Sequence, residues 1–568
     1  MDPHDYTWIL GLGFFLALLD AYGIGANDVA NSFATSVASR TLTLRRACMV
    51  AIFTEFGGAV LLGSNTAETI RNGILKTHLF AAQPETLMLA MMCALVGSAT
   101  FILTATRFGA PVSTTHSIVG AIIGTGIAAF GTDAVDWTYD GVGKIITSWF
   151  LSPIIAGIIA SLIYLSIKFA VLRSPHAYSR SLKVVPILAF VTIGVNAFFI
   201  VYKGSPALKL DKNPLGTILG AVFGFAVGCG LLAYFVVVPI IRQRIEGTNS
   251  RPLYKDVLCC FYGRSQMLSE EEQAAKEEEE IRTRQAEDAR VLKELELAAT
   301  KSSDMELRET NSAPKLGDSS STDDILVKNV DDDATGSEAS SNAEIAVGKS
   351  SPSSVIRNGI RKVWGRLAYG WNVDVVNSQA GDVTAELHAR STKFSSRAER
   401  TFQFCQLLTC IAASIAHGSN DVANAIGPIA SIYYIWEHAA IAGDKTPVDV
   451  WLLAVGGIAI NIGLVTYGYK IMSTLGNKMT DHTPSRGFSM ELGATFTVLT
   501  ASKLGLPVST THCITGATAA VGLCNGDVRA INWKLLAWCF FSWIITLPCA
   551  GLLSGLLYAM MLNSPKFL

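Results

Sequence analysis

The sequence predicts an all-α membrane protein of about twelve transmembrane helices in two inverted-topology repeats, with broken or half helices at two Ser-Thr-Thr motifs. Three observations carry this. Half of the 568 residues are hydrophobic and only 16% are charged, a balance too apolar for a soluble chain of this size. Of the 91 charged residues, 50 fall between positions 243 and 400, so two apolar halves flank a solvated insert. Finally, GANDVAN at 25–31 and PVSTTH at 111–116 return in the same order as GSNDVAN at 418–424 and PVSTTH at 507–512, which marks an internal duplication.

A hydrocarbon core about 30 Å thick takes about 20 apolar residues per helix, because only internal backbone pairing satisfies N–H and C=O groups away from water. Such runs lie near 7–27, 47–66, 86–106, 111–130, 145–170, 184–202, 215–241, 402–432, 449–472, 487–502, 507–524 and 534–561. Asp2, His4 and Asp5 precede the first run where a signal peptide would be basic, so a retained helix is expected. Arg40, Arg45, Arg46, Arg107, Lys168, Arg173, Arg242, Arg244, Arg251 and Lys255 follow alternate spans, and Asp133, Asp136 and Asp140 lie on the other side. The positive-inside rule then places both termini outside and the insert in the cytosol. Arg71, Lys76, Lys203, Lys209 and Lys212 run against that assignment.

The chain divides into an N-terminal membrane repeat with extra helices (1–242), a cytosolic and largely disordered insert (243–400) and a C-terminal membrane repeat (401–568). Within the insert, 271–299 is a charged helix former, whereas Ser302 to Ser354 lack the apolar area to offset chain entropy. Residues 355–371 mix basic and aromatic side chains at helical spacing, which suits the inner membrane surface. The preferred reading of the insert is a solvated regulatory spacer with no transport chemistry, its serines open to phosphorylation. The eleven cysteines show no CxxC or zinc spacing, and Cys48, Cys93, Cys229, Cys410, Cys513, Cys539 and Cys549, all in apolar runs, read as small core residues; lipidation of Cys259 and Cys260 is the less favoured alternative to a plain structural role. A net charge of -1 leaves no footprint for nucleic acid.

On the span order above, the GANDVAN helix runs inward and the GSNDVAN helix outward, so the repeats are inverted about an axis in the membrane plane. Secondary transporters use this arrangement to build a midplane site. Asn27, Asp28 and Asn31, and again Asn420, Asp421 and Asn424, converge on one helical face. Their carboxylate and amide oxygens suit a bare alkali cation; interhelical polar packing is the competing reading. After Pro111 and Pro507, Ser113, Thr114, Thr115, Ser509, Thr510 and Thr511 present hydroxyl and backbone donors at helix N-termini, a cradle for a tetrahedral oxyanion. Gly109 and Gly505 permit a tight break, so these segments are half-helices or hairpins if the break forms, and the span count and its parity weaken together. Glu55 and Glu491 are candidates for cations or protons; repeat alignment sets them opposite Ala454 and Leu95. His116 and His512 read as packing or hydrogen-bonding residues. A Ser113–His116–Asp28 triad is disfavoured because the motif is doubled and no nucleophile elbow is present, so no enzyme is expected.

At GANDVANSFATS, GAPVSTTHSIVG, HGSNDVANAIGP, SRGFSMEL and GLPVSTTH the sequence resembles the inorganic phosphate transporter family, especially fungal sodium-coupled symporters of the plasma membrane. The resemblance covers about 6–240 and 400–567 and leaves out the insert. It implies phosphate uptake down a sodium gradient, with phosphate on Ser113 to Thr115 and Ser509 to Thr511. It also implies sodium contacts at the Asn-Asp motifs and importance of Glu55 and Glu491. Expected partners are inorganic phosphate, sodium, the bilayer and a second copy of the chain; no cofactor beyond co-transported sodium is implied. Two other readings remain: a proton-coupled carrier working through Glu55 and Glu491, and a phosphate-sensing receptor signalling through the insert.

Overall fold

In a computed structural model the described residues are 3–202, 214–246, 270–311, 373, 382–443 and 448–564. The first half contains α1 (Thr7–Asn27), α2 (Val29–Ala38), α3 (Leu44–Leu62), α4 (Ser64–Asn72), α5 (Pro84–Arg107), α6 (Thr114–Phe130) and α7 (Lys144–Ile167), followed by α8 (Ala177–Val201), α9 (Leu215–Leu232) and α10 (Val238–Glu246). After α11 (Glu270–Asn311) and α12 (Asp382–Arg390), the second half contains α13 (Ser396–His438), α14 (Val450–Tyr467), α15 (Tyr469–Lys478), α16 (Pro484–Lys503), α17 (Thr510–Leu523) and α18 (Trp533–Leu562). No strand occurs among the described residues beyond an isolated bridge between Leu75 and Val135. Local chemistry sets many boundaries. Pro84 and Pro484 occupy first turns, where a missing N–H loses nothing; Thr43, Ser395 and Asn532 cap α3, α13 and α18 with their side chains.

The expected runs all contain helix, but the twelve spans are redrawn. Among the described residues seven helices are long and apolar enough to cross a membrane, or eight if α3 and α4, bent by 62°, count as one. The first runs past residue 27 to Ala38, interrupted at Asp28. The runs at 111–130 and 507–524 shrink to α6 and α17, of 17 and 14 residues. At about 1.5 Å per residue these reach only about 26 and 21 Å, short of the apolar core. The cause is local: Gly109 and Gly505 take φ of 68° and 65°, values costly with a Cβ. Pro111 and Pro507 then drive the preceding residue from helix. Each α5–α6 and α16–α17 pair is thus a hairpin with PVSTTH at its tip. Large apolar side chains such as Phe150, Phe223, Phe541 and Leu552 stand exposed along the long helices, as lipid-facing surfaces require. The chain is a multi-pass membrane protein.

The halves interdigitate. Helix α1 packs on α5 and α14 while α13 packs on α16 and α3; α7 lies on the α16–α17 hairpin and α18 on α5–α6. Close backbone approach is reciprocal. A Cβ on Gly25 would overlap the Ile460 carbonyl and one on Gly418 that of Glu55, while Gly463 meets the Tyr22 carbonyl and Gly58 that of Ile415. Small residues allow such contact between membrane helices. This reciprocity makes Ile460, not Ala454, the counterpart of Glu55; the chain leading into α14 is longer than the one leading into α3, so counting along the sequence misplaces it.

Helix α11 covers the charged segment and continues into the serine-rich stretch as far as Asn311, carrying i,i+4 pairs Arg282–Glu278 and Arg284–Glu280 at 3.1 Å. The remainder of that stretch, the 355–371 segment, Cys259, Cys260, Arg251, Lys255, Lys203, Lys209 and Lys212 lie outside the described residues. Where the chain re-enters the second half, Asp481 in the loop before α16 accepts from Arg486 Nη1 at 2.7 Å and meets His388 Nδ1 at 2.9 Å and Lys393 Nζ at 3.4 Å. Burial alone would raise the Asp481 carboxyl; the His388 hydrogen bond and the neighbouring cations outweigh it and hold the group well below the carboxylate range.

Candidate functional site

Both Asn-Asp motifs and both hairpin tips meet in one buried cluster. Helix α1 ends at Asn27 and α2 begins at Val29, leaving Asp28 at the junction with its N–H on the Ile24 carbonyl at 2.8 Å. Its Oδ2 accepts the Thr114 hydroxyl at 2.6 Å, from the tip of its own half. Its Oδ1 accepts the Thr511 hydroxyl at 2.6 Å, from the tip of the other, and Asn31 Nδ2 at 3.2 Å. Asp421 repeats the pattern: Oδ2 accepts Thr510 Oγ1 at 2.9 Å, and Oδ1 accepts Thr115 Oγ1 across the halves at 3.4 Å and Asn424 Nδ2 at 3.1 Å. All these residues are buried.

The first asparagine of each motif fastens a hairpin tip. Asn27 donates to the Ala110 carbonyl at 3.1 Å and accepts from Val112 N–H at 3.2 Å; Asn420 donates to the Val508 carbonyl at 2.6 Å and accepts from its N–H at 3.4 Å. Ser113 and Ser509 cap α6 and α17 by accepting the N–H of His116 and His512 at 3.2 and 3.3 Å. These contacts fix the loops so that both helix N-termini converge on the carboxylates. The last asparagines play a different part. Asn31 and Asn424 donate through Nδ2, yet both Oδ1 atoms are buried with no hydrogen-bond partner. An unpaired amide oxygen beside a carboxylate, repeated in each half, is a ready ligand for a hard cation.

The structure divides the expected site residues differently from the sequence. Four threonines expected to face an anion donate to the carboxylates expected to hold cations, so the two sets form one shell. Glu55 and Glu491 sit in separate settings. Glu491 accepts from Thr35 at 2.5 Å, Ser36 at 2.6 Å, Thr409 at 2.5 Å and Gln406 at 3.3 Å, bridging α2, α13 and α16. Glu55 accepts Ser414 Oγ at 2.7 Å and meets His417 Nδ1 at 2.8 Å. The far side of that ring, Nε2, lies 3.1 Å from Asp421 Oδ2. Ligand atoms of Asp28, His417 and Asp421 all fall within 4.8 Å of one another. Sequence reasoning gave His417 no role; its position four residues before Asp421, on the same helical face, was the available signal.

Chemically, the cluster holds two carboxylates, two free amide oxygens and converging hydroxyl and N–H donors, an arrangement that can hold cations and an oxyanion side by side. A model of the phosphate transporter family matches residues 24–554. The chain is 39% identical to the phosphate-repressible phosphate permease pho-4 of Neurospora crassa, over all of this chain and 99% of that protein. It is 31% identical to sodium-dependent phosphate transporter 1 of Mus musculus, over 98% of this chain and 95% of that one. A solved structure described as the sodium-dependent phosphate transporter aligns with a TM-score of 0.64 and 26% identity, covering 98% of this chain and all of that chain.

Proposed function

Since the chain belongs to the phosphate transporter family, we propose that it is a sodium-coupled symporter importing inorganic phosphate by alternating access, and not an enzyme. The observation that carries the reading is the crossing of hydroxyl donors between halves, Thr511 to Asp28 and Thr115 to Asp421. A site made from both halves is broken and remade whenever the halves move against each other, as alternating access demands. Sodium ions sit on Asp28 with Asn31 and on Asp421 with Asn424, where the free amide oxygens complete the carboxylates. Phosphate lies between the tips, against Ser113, Thr114, Thr115, Ser509, Thr510 and Thr511. Cation binding recruits the carboxylates and releases the threonine hydroxyls toward the anion. Without sodium, phosphate would face two buried carboxylates, and that repulsion in a low dielectric links the fluxes.

Glu491 ties α2 to the second half, and Glu55 acts through His417 on Asp421. The halves are inverted repeats, the protein works in the plasma membrane with both termini outside, and the insert lies in the cytosol, open to phosphorylation. Two copies associate in the membrane. The deciding experiment is radiolabelled phosphate flux into liposomes, with an inward sodium gradient and with sodium replaced by choline. Uptake is expected only with sodium, and Asp28→Asn should abolish it with the protein still in the membrane. Normal sodium-dependent uptake by that variant would refute the ion-site assignment. Uptake unchanged in choline would favour protons, for which the Glu55–His417–Asp421 chain offers a route, and binding without flux would favour a receptor.

A further inference from the structure

Starting at the first turns of α6 and α17, where the hairpin tips end, α6, α7, α17 and α18 line a cavity of about 1080 Å³, just above the range of about 300–1,000 Å³ for small-molecule sites. Its most buried lining is two reciprocal ring pairs. His116 lies on Trp149 with centroids 3.9 Å apart, His512 lies on Trp543 at 3.8 Å, and the two imidazoles meet edge to face at 4.5 Å. All four side chains are more than nine-tenths buried. His116 Nδ1 faces the Trp543 carbonyl at 3.4 Å and His512 Nδ1 the Trp149 carbonyl at 3.2 Å. A carbonyl only accepts, so each Nδ1 carries the proton and each Nε2 is left an acceptor. Neither Nε2 nor either indole Nε1–H has a hydrogen-bond partner, an unfavourable state for buried polar atoms.

The rest of the lining is apolar. It contains no Lys, Arg, Asp or Glu, its wall includes Gly120, Gly124, Gly551 and Gly555, and its mouth carries the exposed side chains of Phe150, Ile154 and Leu552. We propose that this cavity binds a membrane sterol, its hydroxyl at the His116, His512, Trp149 and Trp543 cluster and its ring system along the apolar wall of α6, α7 and α18. A hydroxyl donates to an imidazole Nε2 and accepts from an indole N–H, so one neutral group answers both kinds of unpaired atom. A phosphate or carboxylate headgroup would be buried there without a counter-charge. A second copy of the chain closing the mouth would leave the ring nitrogens unpaired. Because Ser113 and Ser509, the caps of α6 and α17, accept the backbone N–H groups of His116 and His512, an occupant of this cavity touches both tips from outside the ion and anion shell.

The test is photolabelling of the purified full chain in phosphatidylcholine nanodiscs with a diazirine-bearing cholesterol, with adducts mapped by mass spectrometry. Adducts are expected on α6, α7, α17 or α18 and should be competed by unlabelled cholesterol. Ile154→Trp and Leu552→Trp, each filling the mouth from the lipid side, should each lower labelling by about tenfold, equivalent to about 1.4 kcal/mol. Labelling left unchanged by both substitutions, displaced equally by oleate or diacylglycerol, or replaced by cross-links to a second copy at the mouth would overturn the assignment. The readout is binding alone, so it stands or falls separately from phosphate flux.

Discussion

The two Asn-Asp motifs are near copies set in unlike surroundings. Around Asp28 the helix is interrupted, and the positions matching His417 and Glu55 are Ile24 and Ile460, both buried and apolar. Around Asp421, α13 runs unbroken; Glu55, with Ser414 and Thr54 beside it, is paired with His417 Nδ1, and the Nε2 of that ring lies 3.1 Å from Asp421. The two motifs therefore share the hydrogen bonds that place each tip and carboxylate, while the charge behind them differs. Only neutral donors hydrogen-bond Asp28; the His417 imidazole, within 4.8 Å of both carboxylates, stands 3.1 Å from Asp421 and carries Glu55 of the first half on its other side. Shared scaffold decides where ligands sit, and unshared residues decide what charge stands behind each motif.

The largest expected effect tests the shared part. Asp28→Asn and Asp421→Asn should each reduce sodium-driven phosphate uptake by at least the roughly 10–100-fold seen when the support of a metal ligand is removed. Comparable losses, measured as initial rates in liposomes, would uphold the equivalence of the carboxylates, and a mild effect in one half would break it. The next test addresses the unshared part. His417→Ile and Glu55→Ile each convert one position to its counterpart in the other half. His417→Ile removes one partner of a buried charged group, a change worth about 3–5 kcal/mol. The double variant should lose less than the sum of the singles, by about 0.5–3 kcal/mol, as coupled neighbours do. Thermal unfolding in detergent reads this directly, and strict additivity would show that Glu55 and His417 are not a unit.

Glu491 offers a third comparison, because its counterpart is Leu95. Glu491→Leu strands the donors of Thr35, Ser36, Thr409 and Gln406, at about 1–3 kcal/mol for each group that finds no new partner. Glu491→Gln keeps one acceptor oxygen and should be milder. Melting temperature and uptake are expected to fall in the order wild type, Gln, Leu; equal behaviour of the two variants would mean that the charge, and not the hydrogen bonds, is what α2 needs.

Much of this was legible in advance, for local reasons. The break before each tip follows from Gly109 with Pro111 and Gly505 with Pro507, and the converging asparagines follow from helical spacing. Other features depend on tertiary contact. Nothing local to Thr511 says that its hydroxyl meets Asp28, 483 positions away. Counting along the chain sets Glu55 opposite Ala454 because it ignores unequal connections, which the reciprocal glycine contacts reveal. His417 resembles an ordinary core histidine until Glu55 is placed beside it. Span limits shifted because helix ends are not set by hydropathy alone. Helix α8 starts at Ala177, well ahead of the apolar run, through a turn that includes Arg180 and Lys183, long side chains whose stems tolerate an apolar setting.

The smallest expected effect is the sharpest check on symmetry. Ser113 and Ser509 have nearly the same backbone angles, φ -93° with ψ 115° and φ -83° with ψ 113°, and each accepts one histidine N–H at 3.2 or 3.3 Å. Removing either cap by substitution with alanine should therefore destabilise by about 1 kcal/mol, and the two melting temperatures should fall together. Threonine at either position keeps the cap oxygen and should restore most of the loss. If the hydroxyls also donate to phosphate, both alanine variants raise the phosphate concentration for half-maximal uptake, whereas a cap alone shifts only the melting temperature. A rise in one variant and not in the other would place the anion nearer one tip, and the charge asymmetry behind Asp421 would then extend to the substrate itself.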